Sequence, residues 1–344
     1  MFEQRKKKPL IVPIFIPSEG CPYRCVYCDQ EKITGQAPQI GPDGIRKRLE
    51  LAIRSPGYDR QREPEVAFYG GTFTNLSLGR MYALLGAVRP YLRSGLFKSV
   101  RVSTRPDAID KEGLDLLMRL GVDTVELGAQ SLDNEVLQLS RRGYTSREVI
   151  ESIQLLKQRG FKVGVQLMPG LPGDTASKFL RGIEKVIAVR ADMVRLYPTL
   201  VIRGTALATW YQSKKYKPWS LQDAVRICSE SCLRLEQAGI PVIRIGLMSS
   251  PGLLNRGEII AGPWHECFGF LVRSEIYHRK IEKYLPAPGA AQGITLRVCP
   301  REIPLARGYK NLGLKRIERK TGAKVVRVRA EKSFRPGMIE VEMK

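Results

Sequence analysis

Leu10-Ile-Val-Pro-Ile-Phe-Ile-Pro-Ser-Glu-Gly-Cys-Pro-Tyr-Arg-Cys-Val-Tyr-Cys28 decides how the rest of the chain is read. Its opening, Leu10 to Ile16, is a short apolar run between prolines, which suits a buried strand; a membrane span needs about 20 residues. The run follows Arg5-Lys6-Lys7-Lys8 and so mimics a signal peptide, but Pro13 interrupts it and no small-residue cleavage site follows. A cytoplasmic protein is therefore expected. The strand leads straight into three cysteines. Two questions follow: whether such strands recur, and what the thiols hold.

Strands do recur. Val66–Tyr69, Val100–Ser103, Thr124–Leu127, Lys162–Gln166, Met193–Tyr197 and Val242–Ile245 have strand character. Helical patterns lie between them at Leu78–Tyr91, Lys111–Leu120, Ser146–Arg159, Ala176–Val189 and Leu221–Ala238. This alternation predicts an α/β fold of parallel βα units. With no early G-x-G-x-x-G phosphate loop, a partial or complete (β/α) TIM-type barrel is favoured over a dinucleotide fold. Barrel chemistry sits at the C-terminal ends of the strands. The unusual residues fall there: the cysteines after the first strand, Gly70-Gly71-Thr72 after the second, and Thr104-Arg105 after the third. Met168-Pro-Gly-Leu-Pro-Gly173 follows the fifth, and Tyr197-Pro-Thr199 ends the sixth. Gln130 and Gln166 end the fourth and fifth strands as polar residues among apolar ones. One site at one barrel mouth is expected.

The chain has seven cysteines, an odd number that argues against a disulfide framework. Cys21, Cys25 and Cys28 form C-x-x-x-C-x-x-C, which can hold three corners of a [4Fe–4S] cube and leave one iron open. A zinc site is the other reading, but zinc usually takes four protein ligands. The candidates for the fourth, His265 and Cys267, lie far along the chain. Cys228 and Cys232 share the helical stripe Leu221, Val225, Cys228, Cys232, Leu235 and read as core, and Cys299 follows a predicted strand. Cys267, in Trp264-His-Glu-Cys-Phe-Gly269, sits where a segment could close the barrel mouth. It is read either as a hydrogen-atom donor or substrate contact, or as a structural cysteine beside a structural histidine.

The 344 residues, 43% hydrophobic and 26% charged, suit about two globular domains and exclude disordered, collagenous and disulfide-stapled classes. Two histidines are too few for multi-histidine metal sites. The net charge of +23 suggests a polyanionic partner, usually nucleic acid, with a solvated basic surface as the other reading. Residues 296–344 hold 14 Lys/Arg against 5 Asp/Glu, which makes this segment nearly four times as densely positive as the rest. Residues 1–283 are read as the barrel with a covering segment, 284–293 as a linker and 294–344 as a small basic βαββ domain.

In these segments the chain resembles the radical S-adenosylmethionine (radical SAM) superfamily. The resemblance rests on Cys21, Cys25, Cys28, the aromatic Tyr27 and Gly70-Gly71-Thr72. More narrowly it is similar to the radical-SAM core of the catalytic subunit of Elongator and its smaller bacterial relatives. Phe68-Tyr-Gly-Gly-Thr-Phe73, Ser103-Thr-Arg-Pro-Asp107, Val125-Glu-Leu-Gly-Ala-Gln-Ser131, Arg141-Arg-Gly-Tyr-Thr145, Met168–Gly173 and Tyr197–Thr205 carry that likeness. The residues after 205 are too few for the acetyltransferase-type domain of that subunit, so its acetyl-CoA-dependent reaction is not expected here.

The resemblance implies a [4Fe–4S] cluster on the three cysteines, binding S-adenosylmethionine at the open iron and cleaving it reductively to a 5′-deoxyadenosyl radical. It implies cofactor contacts from Tyr27, Gly70, Gly71, Thr72, Thr104, Gln130, Gln166, Met168 and Tyr197. Arg142 matches the position that would pair with the methionyl carboxylate. A low-potential electron donor, flavodoxin or ferredoxin, and an RNA substrate are expected as partners, with tRNA modification as the function and no membrane partner. Two alternatives are a radical SAM enzyme acting on a small molecule or peptide, and a non-catalytic zinc-containing RNA-binding protein. Finally, residues 294–343 loosely resemble a KH module, whose G-x-x-G loop clamps a nucleotide backbone. Gly308-Tyr-Lys-Asn311 keeps only the first glycine, and Lys310, Lys315, Arg316, Arg319 and Lys320 bracket it.

Overall fold

The computed structural model describes residues 9–35, 40–247, 253 and 257–344; Arg5–Lys8 lie outside the described residues. Strands β1 (Ile11–Phe15), β2 (Glu65–Tyr69), β3 (Ser99–Thr104), β4 (Val122–Gln130), β5 (Lys162–Leu167) and β6 (Met193–Leu196) pair in sequence order. The short β7 (Val201–Ile202) pairs antiparallel with β9 (Ile259–Ala261), and β8 (Val242–Ile245) completes the main sheet beside β6. Every neighbour pair in this seven-stranded sheet is parallel. β1 and β8 stand at its two edges without pairing to each other, so the barrel is partial.

Alternation along the strands sets the two faces. Val12, Ile14, Val66, Phe68, Val100, Val102, Val125, Leu127, Val163, Val165, Val194 and Leu196 point outwards into one buried core beneath the helices. The opposite parity lines a single cavity of about 1190 Å³, with residues from Ile11 on β1 to Arg244 on β8 in its wall. Edge strands that share one cavity show how far the sheet curls. Where the inward parity meets mid-barrel it is charged. Arg101 pairs with Glu65 and, at 2.6 Å, with Glu126, while Arg195 Nε lies 2.7 Å from Glu126. Arg195 also donates to Tyr69 Oη and Tyr197 Oη. Ion-paired throughout, the network reads as structural filling, although Arg195 Nε makes no aligned hydrogen bond; losing one partner of such a buried pair costs several kcal/mol.

Helices start where a polar residue closes each βα turn. Ser77, Asp110, Thr145, Thr175 and Ser220 each accept a backbone N–H of the helix that follows: Leu78–Arg93, Lys111–Arg119, Ser146–Gln158, Ala176–Ala188 and Leu221–Gln237. Thr145 and Glu148 form a full capping box. All five helices agree with the periodicity. Pro42–Ile53, Asn134–Leu139, Ala206–Gln212 and Phe268–Ile281 are additional. Among the described residues no helix is long and apolar enough to cross a membrane.

At the C-terminus, β10 (Gly293–Val298) lies between β11 (Lys324–Ala330), which is parallel to it, and antiparallel β12 (Ile339–Met343). The helix Leu312–Thr321 appears as expected. A second helix, Ile303–Arg307, precedes it and was too short to show periodicity. Gly308–Asn311 therefore joins two helices. This sheet has a core of its own, joined to the barrel through helix Phe268–Ile281: Val272 and Ile276 pack in the barrel core, while Tyr277 and Ile281 pack with Ile294, Leu296, Val298, Ala306 and Ile317.

Candidate active site

The chain leaves β1 at the barrel mouth and folds back as the loop that carries the cysteines. Leu207 donates to the carbonyl of Val26 at 2.8 Å, and Val26 and Tyr27 are buried with Val136, Leu171, Val201 and Tyr216. The helix Gln30–Thr34 ends the loop, capped by Asp29. Cys21, Cys25 and Cys28 all face the cavity. Among the described residues no three His, Cys, Asp or Glu side chains converge on a single ion. Burial, helped by neighbouring Cys25 and Cys21, pushes the Cys28 thiol up to about 12. The three thiols share one wall of the cavity, and as ligands they would be thiolates whose charge iron would balance. The donor set therefore fits an iron–sulfur cluster with three protein ligands.

Gly70-Gly71-Thr72 holds that loop from behind. Gly70 and Gly71 have φ of 81° and 62°. A Cβ on Gly71 would sit 2.3 Å from the Glu19 carbonyl and 2.7 Å from that of Ile16. The space a side chain on Gly71 would need is thus filled by the cysteine loop's own backbone, while Gly70 and Gly71 both line the cavity. Gln30 Oε1 accepts from Gly71 N at 2.7 Å and Ser18 N at 2.6 Å, tying the two segments together. Thr72, fully buried and outside the cavity lining, places its hydroxyl 3.2 Å from Cys21 Sγ.

Arg142 is nearly fully buried. It donates to Cys25 Sγ at 2.8 Å, Tyr27 Oη at 3.1 Å, Tyr144 Oη at 2.7 Å and the Gly128 carbonyl at 2.8 Å. With four of five guanidinium donors engaged, no parallel pair is left for a carboxylate fork. Arg105, which the motif reading passed over, lies alongside. It is clamped by Asp107 at 2.9 and 2.7 Å and brings Nη1 to 3.9 Å from Cys25 Sγ. The Arg105 guanidinium stacks between Tyr23 and Tyr144 at 4.6 and 5.2 Å, and Arg142 lies over Tyr144 at 5.0 Å. Gly143 makes room, since a Cβ there would overlap the Tyr23 hydroxyl.

Gln130, Gln166, Met168 and Tyr197 complete the cavity wall. Gln130 has a left-handed backbone, φ 65°, where β4 loses register with β5, and Gln166 Nε2 donates to its Oε1 at 3.2 Å. Thr104 lines the same cavity but has its hydroxyl tied to Thr74. Cys267, like Thr72, does not join this wall. It is outside the cavity lining and is the N-cap residue of helix Phe268–Ile281, with its backbone N–H donated to His265 Nδ1 at 3.0 Å. His265 meets Tyr309 edge-on at 4.7 Å, so both residues belong to the junction with the C-terminal sheet.

A partial parallel barrel with three inward-facing thiols at its mouth is an α/β fold whose donor set suits a metal–sulfur site. The chain belongs to the radical SAM superfamily, whose model matches residues 15–186, with the radical SAM C-terminal domain matching residues 191–278. Members of this superfamily use a [4Fe–4S] cluster and S-adenosylmethionine.

A tRNA uridine(34) acetyltransferase of Methanocaldococcus jannaschii is 38% identical over 269 residues, 65% of this chain and 50% of that protein. Elongator complex protein 3 of Schizosaccharomyces pombe is 36% identical over 255 residues, 61% of this chain and 46% of that one. The chain thus spans about half the length of these curated relatives. In fold it is similar to an N-terminally deleted archaeal Elp3 of Methanocaldococcus infernus, with a TM-score of 0.59 and 23% identity over 80% of this chain and 64% of the other.

Proposed function

We propose that this chain is a radical SAM enzyme acting on tRNA, with Cys21, Cys25 and Cys28 as cluster ligands and the barrel cavity as the cofactor and substrate chamber. One observation carries the reading: three thiols, two buried arginines and the Gly-Gly turn share one wall of a cavity of about 1190 Å³. When bound, the cluster and S-adenosylmethionine supply reductive cleavage of the sulfonium and a 5′-deoxyadenosyl radical. The protein's own part is placement and exclusion of water. The Gly70–Thr72 turn fixes the cysteine loop, Gln130 and Gln166 offer amides to polar groups of a ligand, and Met168 and Tyr197 supply flat or soft apolar surface. The Arg101–Glu126–Arg195 network occupies the middle of the barrel, below the cysteines.

The tRNA part of the proposal is supported by the relatives named for tRNA uridine(34) chemistry and by the chain's net charge of +23. A low-potential flavodoxin or ferredoxin is proposed as the electron donor. The test is a comparison of modified nucleosides in tRNA from a strain lacking the gene, its parent, and a strain carrying Cys25→Ala. Loss of one modified nucleoside in both altered strains is expected, and an unchanged nucleoside profile in both contradicts the tRNA assignment.

A further inference from the structure

Arg142 presents an uncommon arrangement. It is a cation with 5% relative exposure, and the groups its N–H donors reach are a thiol, two phenols and a backbone carbonyl. None of them is a carboxylate. Arg105, by contrast, has Asp107. Burying an unpaired charge is expensive, so a buried guanidinium calls for an anion in its shell. Cys25 Sγ, at 2.8 Å, becomes that anion when it ligates iron as a thiolate.

The environment also fixes the guanidinium in place. Tyr144 Oη accepts from Nε and itself donates to the Gly128 carbonyl at 2.6 Å, while the Tyr144 ring lies beneath both guanidinium planes. Tyr23 caps the far side of Arg105 and donates to the Arg142 carbonyl at 2.9 Å. The backbone on either side is bent to deliver the side chain, with left-handed φ values of 53° at Arg141 and 76° at Gly143.

From this geometry we infer that Arg142, held by the Tyr23–Arg105–Tyr144 stack, is a positioning residue for the Cys25 ligand that sets the reduction potential of the cluster and does not hold the methionyl carboxylate of S-adenosylmethionine. The inference rests on the radical SAM reading above. Its direction follows from electrostatics. Adding an electron makes a thiolate-ligated cluster more negative, and a fixed cation with a charge-assisted N–H···S bond favours that state. Removing Arg142 makes the cluster harder to reduce.

The experiment uses the full chain, reconstituted anaerobically, as wild type, Arg142→Met, Arg142→Lys and Tyr144→Phe. Iron and sulfide content, the midpoint potential from a dye-mediated titration followed by EPR, and S-adenosylmethionine affinity of the oxidised protein are measured. Arg142→Met is expected to keep its cluster, to bind S-adenosylmethionine within twofold of wild type, and to lose at least tenfold in the reduction equilibrium, about 59 mV for one electron. Arg142→Lys is expected to recover part of that shift. Tyr144→Phe, which frees Nε while keeping the ring, is expected to shift the same way by less. An unshifted potential in Arg142→Met overturns the inference, as does a tenfold loss of S-adenosylmethionine affinity without a shift. If Arg142→Met does not assemble a cluster, unshifted potentials in the other two variants overturn it. A wild-type chain that binds no cluster refutes the radical SAM reading itself, which separates the two failures.

Discussion

At the scale of single residues, the site depends on what glycine permits behind the cysteines. Gly71 combines a φ of 62° with a backbone carbonyl 2.3 Å from where its Cβ would stand. Gly71→Ala therefore asks for a left-handed alanine and a shift of the Ile16–Glu19 segment together. Strain of this kind costs on the order of 1–3 kcal/mol, and here it falls on the loop that carries Cys21. The variant is expected to unfold at lower temperature and to reconstitute with less than half the wild-type iron. Wild-type melting and iron content in Gly71→Ala would show that the turn does not support the loop. The motif Gly70-Gly71-Thr72 was legible as special from its place at a strand end. Its reason was not, because the partner backbone lies some 50 residues earlier in the sequence and only folding brings it there.

At the scale of elements, the βα turns carry both stability and site geometry. The loop after β5 runs from Met168 in the cavity wall to Asp174, whose Oδ2 accepts from Gly170 N at 2.9 Å. Burial pushes the Asp174 carboxyl up to about 7 from its ordinary 3.8. The folded form thus holds the proton more tightly than the unfolded chain. Stability from this group is full below about pH 4 and is lost as pH rises to about 7, where the folded carboxyl ionises. Asp174→Asn keeps the acceptor and removes the titration. It is expected to melt higher than wild type at pH 8 and to flatten the fall in stability between pH 4 and 7. Equal melting temperatures at pH 8 would contradict the assignment.

The seven strands and five of the helices were readable because each turn carries an N-cap such as Asp110 or Thr145, and because strand and helix periods differ. The inward parity Thr124, Glu126, Gly128, Gln130 was equally present in the sequence. It reads as a lining only once the sheet is known to curl. Arg105 shows the same limit: its place beside Thr104 at a strand end was visible, but its stacking on Tyr23 and Tyr144 joins three separate loops.

At the scale of the whole molecule, charge and packing divide the C-terminal unit into two parts. Arg316 pairs with Glu275 and Glu282, and Lys320 with Glu282, so two of the five cations around Gly308–Asn311 fasten this unit to helix Phe268–Ile281 and the residue that caps its end. Lys310, Lys315 and Arg319 face solvent. Composition could count these charges but could not sort them. Removing residues 290–344 would uncover Tyr277 and Ile281, so point changes are the informative probe. If the exposed three contact phosphates, Lys310→Glu, Lys315→Glu and Arg319→Glu together should lower single-stranded RNA affinity and reduce the salt slope by about 0.7 per contact. Iron content should stay at the wild-type level. An unchanged slope would assign this surface no role in RNA binding.

The central claim is that the three thiols at the barrel mouth hold a cluster that cleaves S-adenosylmethionine. It is tested by anaerobic reconstitution followed by reduction with dithionite and measurement of 5′-deoxyadenosine. The wild-type chain is predicted to carry about four iron and four sulfide and to release 5′-deoxyadenosine, while Cys25→Ala remains folded, carries little iron and releases none. A colourless wild-type protein that binds zinc, or a Cys25→Ala variant that cleaves the cofactor as fast as wild type, would contradict the account.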